Sequence, residues 1–157
     1  MFKKYLYVFL VSMVPIVELR GAVPIAQGLG LNEYLALWVC VLGNMLPVPF
    51  IYFFARRFLT WGSKKRVIGK ICGYFLTKGE RAGQKLVAKA GRGGLFVSLM
   101  LFVGIPLPGT GAWTGAIGAS FLDMGFKSTV LSVCLGVILA GIIMTVISML
   151  GLHIFGL

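Results

Sequence analysis

The sequence predicts an all-α integral membrane protein: two transmembrane helices and two broken or re-entrant helical segments, arranged as an inverted repeat around a basic cytoplasmic loop. Three observations predict it. Apolar residues make up 59% of the 157 residues and charged ones 12%, against roughly half and a quarter in ordinary soluble domains, so the excess needs lipid to cover it. Of four apolar stretches, two are long enough to span a bilayer, and two run into Pro and Gly and stop short. Eleven of the 15 Lys and Arg fall within residues 56–93, where Glu80 is the only acid, so the formal charge of +11 describes a loop rather than a surface.

The first element is the apolar run Tyr5 to Val17 behind Lys3 and Lys4. It imitates a signal peptide, but Glu18 and Arg20 stand where a small-residue cleavage site belongs, which predicts a retained anchor. It leads into a partly polar stretch broken by Pro15 and Pro24. Residues 34–55 form the first predicted span, since about 20 residues at 1.5 Å rise cross a hydrocarbon core of about 30 Å. In the basic loop, Val67, Ile68, Ile71, Cys72, Phe75 and Leu76 recur at helical spacing among Lys64, Lys65, Arg66, Lys70 and Lys78. That pattern suits a helix lying on anionic lipid, or a solvated linker helix whose charges only set topology. Residues 89–94, with three glycines, form the hinge back into the membrane. Residues 94–105 are again a short apolar run, ending in Pro106-Leu-Pro-Gly-Thr-Gly-Ala-Trp-Thr-Gly115, and residues 126–150 form the second predicted span. The whole chain, 1–157, is expected to be one membrane domain, with a first repeat over 1–55 and a second over 94–157.

The repeat appears when the second broken region is laid 90 positions after the first. Gly21-Ala22 meets Gly111-Ala112, Ala26 meets Ala116, Gly28 meets Gly118 and Glu33 meets Asp123. Short, Gly/Pro-interrupted segments in corresponding places of two halves point to a transporter's binding site. Backbone freed by Pro15, Pro24, Pro106 and Pro108 must face protein or a watery cavity, because an unsatisfied group in lipid costs several kcal/mol. Positive loops resist translocation, so residues 56–93 are expected on the cytoplasmic side. Two topologies satisfy that. Re-entrant hairpins leave two crossings, with both termini outside and the halves inverted. Broken but complete spans over 5–30 and 94–122 give four crossings with both termini inside.

Glu18 and Arg20 are the leading candidate site residues. A charge at membrane depth costs about 2.5 to 3.5 kcal/mol on insertion scales and tends to face a cavity or a partner, which suggests proton or cation binding at Glu18 and an anionic group at Arg20. A pair snorkelling to the interface is the structural alternative. Pro24, Pro106, Pro108, Gly109, Thr110, Gly111, Trp113 and Thr114 complete the candidate site, because broken helix ends can bind ions or polar head groups through their end dipoles. The same stretch also reads as a packing corner, with Gly111 and Gly115 as a GxxxG contact and Trp113 as a packing aromatic.

Several function classes find no support. A basic folded face with interleaved aromatics is missing, so no nucleic acid is expected. Cys40, Cys72 and Cys134 are scattered singly, which suggests neither a metal site nor a disulfide. Gly109-Thr-Gly111 is only a fragment of a dinucleotide fingerprint, and Gly125-Phe-Lys-Ser128 misses the phosphate-loop pattern. His153 has no companion nucleophile. No enzyme activity and no cofactor are expected.

With Glu18-Leu-Arg-Gly-Ala-Val-Pro24, Gly43-Asn-Met-Leu-Pro-Val-Pro49 and Pro106 to Gly115 in order, the chain resembles the putative small multi-drug export protein family of bacterial membrane proteins over nearly its whole length. That resemblance implies membrane transport more firmly than it implies drugs. The architecture and style of motif are also similar to the DedA-like membrane proteins, which would imply a polyprenyl-phosphate or other lipid substrate, with Arg20 facing a phosphate and Glu18 coupling a proton. The expectation is a secondary, proton-coupled transporter of a small amphipathic or anionic lipid-like substrate in a bacterial cytoplasmic membrane, working as a homodimer. A non-transporting scaffold that recruits a partner through the basic loop is the rival.

Overall fold

The computed structural model describes residues 1–64, 69–107 and 109–155, and among these it is helical with no strand. Seven helices follow in order: α1 Phe2–Met13, α2 Glu18–Gly28, α3 Glu33–Met45, α4 Pro47–Ser63, α5 Gly69–Gly104, α6 Ala112–Phe121 and α7 Phe126–Phe155.

Local chemistry sets the boundaries. α1 stops because Val14 precedes Pro15 and is extended (φ −72°, ψ 128°), as the proline ring disfavours helix at the residue before it. α2 ends in a left-handed cap at Gly30 (φ 66°), with the Leu31 N–H bonding the Ala26 carbonyl at 3.1 Å, the Schellman arrangement. Asn32 then caps α3 by accepting the Leu35 N–H at 3.2 Å, which satisfies one orphan donor. Between α3 and α4, Leu46 stays helical, and Pro47 sits in the first turn of α4, where no backbone donor is needed. The helical run therefore continues from Glu33 to Ser63, past the expected end at residue 55. In α5 the helix is broken at Gly91 (φ 69°, ψ 177°), inside the glycine hinge expected at 89–94.

The runs Glu33–Ser63 and Phe126–Gly151 are long and apolar enough to cross a membrane. At 1.5 Å per residue α1 and α2 are only roughly 18 and 16 Å long, well short of a hydrocarbon core of about 30 Å. Leu6, Leu10, Trp38, Leu42, Phe50, Leu131, Leu135, Ile142, Val146 and Leu150 all face outward, an apolar surface that water would not tolerate and lipid does. The expected apolar stripe of the basic loop is not fully visible. Lys65, Arg66, Val67 and Ile68 lie outside the described residues, as do the side chains of Ile71, Cys72, Phe75, Leu76 and Lys78.

The two long runs pass each other in opposite directions. Gly141 packs against Leu37, Phe53 stacks on Phe126 at 4.8 Å, and Arg56 pairs with Asp123. α1 folds back beside α2, so that Lys4 near its start donates to the Leu29 carbonyl at 3.0 Å. The core is small-residue packing, the kind that holds helices together where lipid removes the hydrophobic drive. A Cβ on Gly43 would strike the Phe9 carbonyl, and one on Gly136 would strike the Met100 carbonyl.

Burial and capping coincide in the two halves at an offset of 93 rather than 90. Leu19, Ala22, Val23 and Ala26 are buried, as are Ala112, Gly115, Ala116 and Ala119. Cys40, Gly43 and Asn44 match Val133, Gly136 and Val137. Asp123 repeats the left-handed cap of Gly30, at φ 54°, with the Met124 N–H on the Ala119 carbonyl at 3.0 Å. A three-residue shift moves a helix by nearly one turn, so the Gly-Ala identities at 90 fall close to the same faces without marking the positions that pack alike.

Candidate functional site

The site forms where the turn after α1 meets the turn after α5. The break at Pro15 brings the chain round so that Glu18 begins α2 with φ 49°. A non-glycine residue held there stores of the order of 1 kcal/mol or more, and the surroundings must hold it. They do so through its carboxylate. Glu18 Oε1 accepts the Trp113 N–H at 3.2 Å, with the Ala112 N–H also directed at it. The first amides of α6 have no acceptor within their own helix and form its positive end. Gly111, at the head of α6, has no side chain to cap it, so Glu18 supplies the cap from the other half of the molecule. A Cβ on Gly111 would overlap that carboxylate, so a side chain there would have to displace it.

Arg20, two residues on, serves the opposite helix end. Its guanidinium donates to the carbonyls of Leu107, Val103 (3.4 Å) and Ile105 (3.2 Å), and to Thr110 Oγ1 at 2.7 Å. Thr110 Oγ1 itself lies 2.9 Å from the carbonyls of Ile105 and Leu107. These carbonyls lie where α5 ends and Pro106 prevents its continuation, and those of Ile105 and Leu107 also accept the Leu107 and Thr110 N–H groups at 2.8 and 3.2 Å. A planar fork with five donors can gather several acceptors at once, which an ammonium cannot do in the same geometry. Glu18 and Arg20 therefore do not close into an ion pair with each other; the ion pair among the described residues joins Arg56 to Asp123.

Between the two turns lies a cavity of about 300 Å³. Pro15, Ile16, Val17, Glu18 and Arg20 line one side, Pro106, Leu107, Gly109, Thr110 and Thr114 the other, and Met144 of α7 closes the third. Of the residues singled out in the sequence, Glu18, Arg20, Pro106, Gly109, Thr110 and Thr114 reach the cavity, while Gly111 and Trp113 meet the Glu18 carboxylate. Pro24 is exposed one turn farther along α2 and does not line the cavity, and Pro108 lies outside the described residues. The sequence gives no sign of Met144, an apolar residue in an apolar helix that reaches the cavity only because Gly141 lets α7 approach Leu19 and Leu37. Gln27 is a second residue that the sequence does not single out. Its Nε2 donates to the Thr145 carbonyl at 3.4 Å, and its Oε1 is buried without a partner among the described residues, as is Trp113 Nε1.

The family model described as putative small multi-drug export protein matches residues 18–143, from Glu18 through most of α7. No curated protein and no solved structure matches the chain.

Proposed function

Since the chain belongs to the family described as putative small multi-drug export protein, we propose that it is a secondary transporter that moves a small amphipathic substrate and is coupled to protons at Glu18. The observation that carries the reading is the crossing of charges at the cavity. Glu18 and Arg20, both from the first half, hold the two broken helix ends of the second half, so a change at either residue acts on both halves at once. Protonating Glu18 removes the anion from the head of α6 and weakens a bond of the charged class, worth about 1.5 to 3 kcal/mol. The turns are then free to part around the cavity. Arg20 is the group that an anionic part of a substrate would draw away from the carbonyls of Val103, Ile105 and Leu107.

The architecture we propose for this work is an inverted repeat of two re-entrant hairpins, α1 with α2 and the 91–104 part of α5 with α6, each followed by a spanning run. The shortness of α1, α2 and α6, the opposed directions of the two long runs, and the shared burial pattern support it. In this reading the membrane is the bacterial cytoplasmic membrane, residues 56–93 face the cytoplasm, and two copies assemble, because so few helices enclose little of a pathway. A second reading, translocation of a polyprenyl-phosphate or similar lipid, is favoured by the Arg20 guanidinium at the cavity wall.

The test is flux in proteoliposomes under an imposed pH gradient, offering a cationic amphipathic dye and a fluorescent polyprenyl-phosphate analogue. Gradient-dependent movement of one of them, abolished by Glu18→Gln, is expected, and the compound that moves chooses between the two readings. Movement that persists unchanged in Glu18→Gln removes Glu18 from the coupling. Movement of neither compound returns the weight to a scaffold role.

A further inference from the structure

We infer that the end of α4 is a binding site for an anionic phospholipid, a conclusion that does not rest on the transport reading. The run Glu33–Ser63 has 31 residues, about 46 Å of helix, so even with tilt its last turns pass beyond a hydrocarbon core of about 30 Å. Those turns should be polar on every face that meets water. Instead Phe50, Phe54, Phe58 and Trp61 form one stripe, with Phe54 71% and Trp61 52% exposed. Phe54 stacks on Phe58 at 6.0 Å, and Phe58 lies 6.3 Å from Trp61. Tyr52, on the opposite face, and Ile51 and Gly62, beside the stripe, are buried against the rest of the protein, so the exposed stripe faces away from it.

Phe54, Arg57, Phe58 and Trp61 enclose a largely apolar groove of about 250 Å³. Charge decides the occupant. Arg56 is taken by Asp123, while Arg57 in the groove wall and Lys64 one turn past Trp61 have no ion-pair partner among the described residues. A phosphate diester on Arg57 with an acyl chain laid over Phe54 and Phe50 satisfies both the cation and the aromatic wall. A zwitterionic lipid brings its own cation against Arg57 and Lys64. A second copy packed here through a two-fold axis sets the same basic residues against themselves.

The full-length protein in mild detergent, titrated with phosphatidylglycerol or phosphatidylcholine and followed by native mass spectrometry, tests this. One phosphatidylglycerol should be retained at lipid concentrations about fivefold below those needed for phosphatidylcholine. Arg57→Gln should erase about that factor, Phe58→Ala should weaken retention of both lipids, and Lys3→Gln, at the far end of the molecule, should change nothing. Equal retention of the two lipids, an equal loss in Lys3→Gln, or a lipid-free dimer that Phe58→Ala splits would each overturn the site.

Discussion

Glu18 serves at once as a strained backbone position, a helix cap and a wall of the cavity, and substitutions separate these roles. Glu18→Gly loses the cap but gains a backbone at ease with φ 49°, so it should unfold more readily than wild type yet be about 1 kcal/mol more stable than Glu18→Ala, read by denaturant titration in mixed micelles. Gly111→Ala pushes a methyl group into the carboxylate and should destabilise the wild type, while adding little to Glu18→Gly. That non-additivity is the signature of direct contact. Arg20→Lys keeps the charge and loses the fork, and should cost about 2 kcal/mol if gathering carbonyls is its structural role. At this scale the sequence exposed the two charges, because ionised groups stand out among apolar neighbours. Thr110 and Trp113 stood out as part of a broken helix end, but their pairing with these two charges was hidden, since they lie 90 and 95 positions from Arg20 and Glu18 and only folding brings them close.

Among the elements, existence and order were legible while lengths and registers were not. Pro15 and Pro106 announce where helices stop, and the two long apolar runs announce themselves by hydropathy. The extension of the first run to Ser63 was hidden because Arg56, Arg57 and Lys64 resemble a loop, although Arg56 pairs with Asp123 and the helical run continues past it. The register of the proposed repeat rests on burial, because glycine and alanine are too common here to fix it. Matched glycines make this testable. Gly43→Ala and Gly136→Ala each drive a methyl group into a backbone carbonyl and should cost about 1 to 3 kcal/mol. Gly118→Ala, in α6 with open space around its Cβ, should be neutral or stabilising by up to about 1 kcal/mol.

For the whole molecule, the two sequence-level topologies differ in where the termini lie. Helices as short as α1, α2 and α6 favour hairpins, which would put Lys3 across the membrane from Lys70. In cells expressing variants without Cys40, Cys72 and Cys134, a cysteine at Lys3 should react with an impermeant maleimide and one at Lys70 should not. Protection at both Lys3 and Lys70 would mean broken but complete spans, with both termini inside.

The Arg56–Asp123 pair bears on direction. It ties the finish of α4 to the start of α7, together with the bond from the Tyr52 hydroxyl to the Met124 carbonyl. At the other end, the counterpart of Asp123 is Gly30, and the ties described there, Lys4 to Leu29 and Gln27 to Thr145, go to neutral carbonyls. The two halves of the proposed repeat thus carry unequal clasps, and a half-exposed ion pair is worth up to about 1 kcal/mol. A rocking pair of hairpins would then rest unevenly, up to about fivefold more often shut at the clasped end, so preference for one side of the membrane would already be present before any gradient is applied.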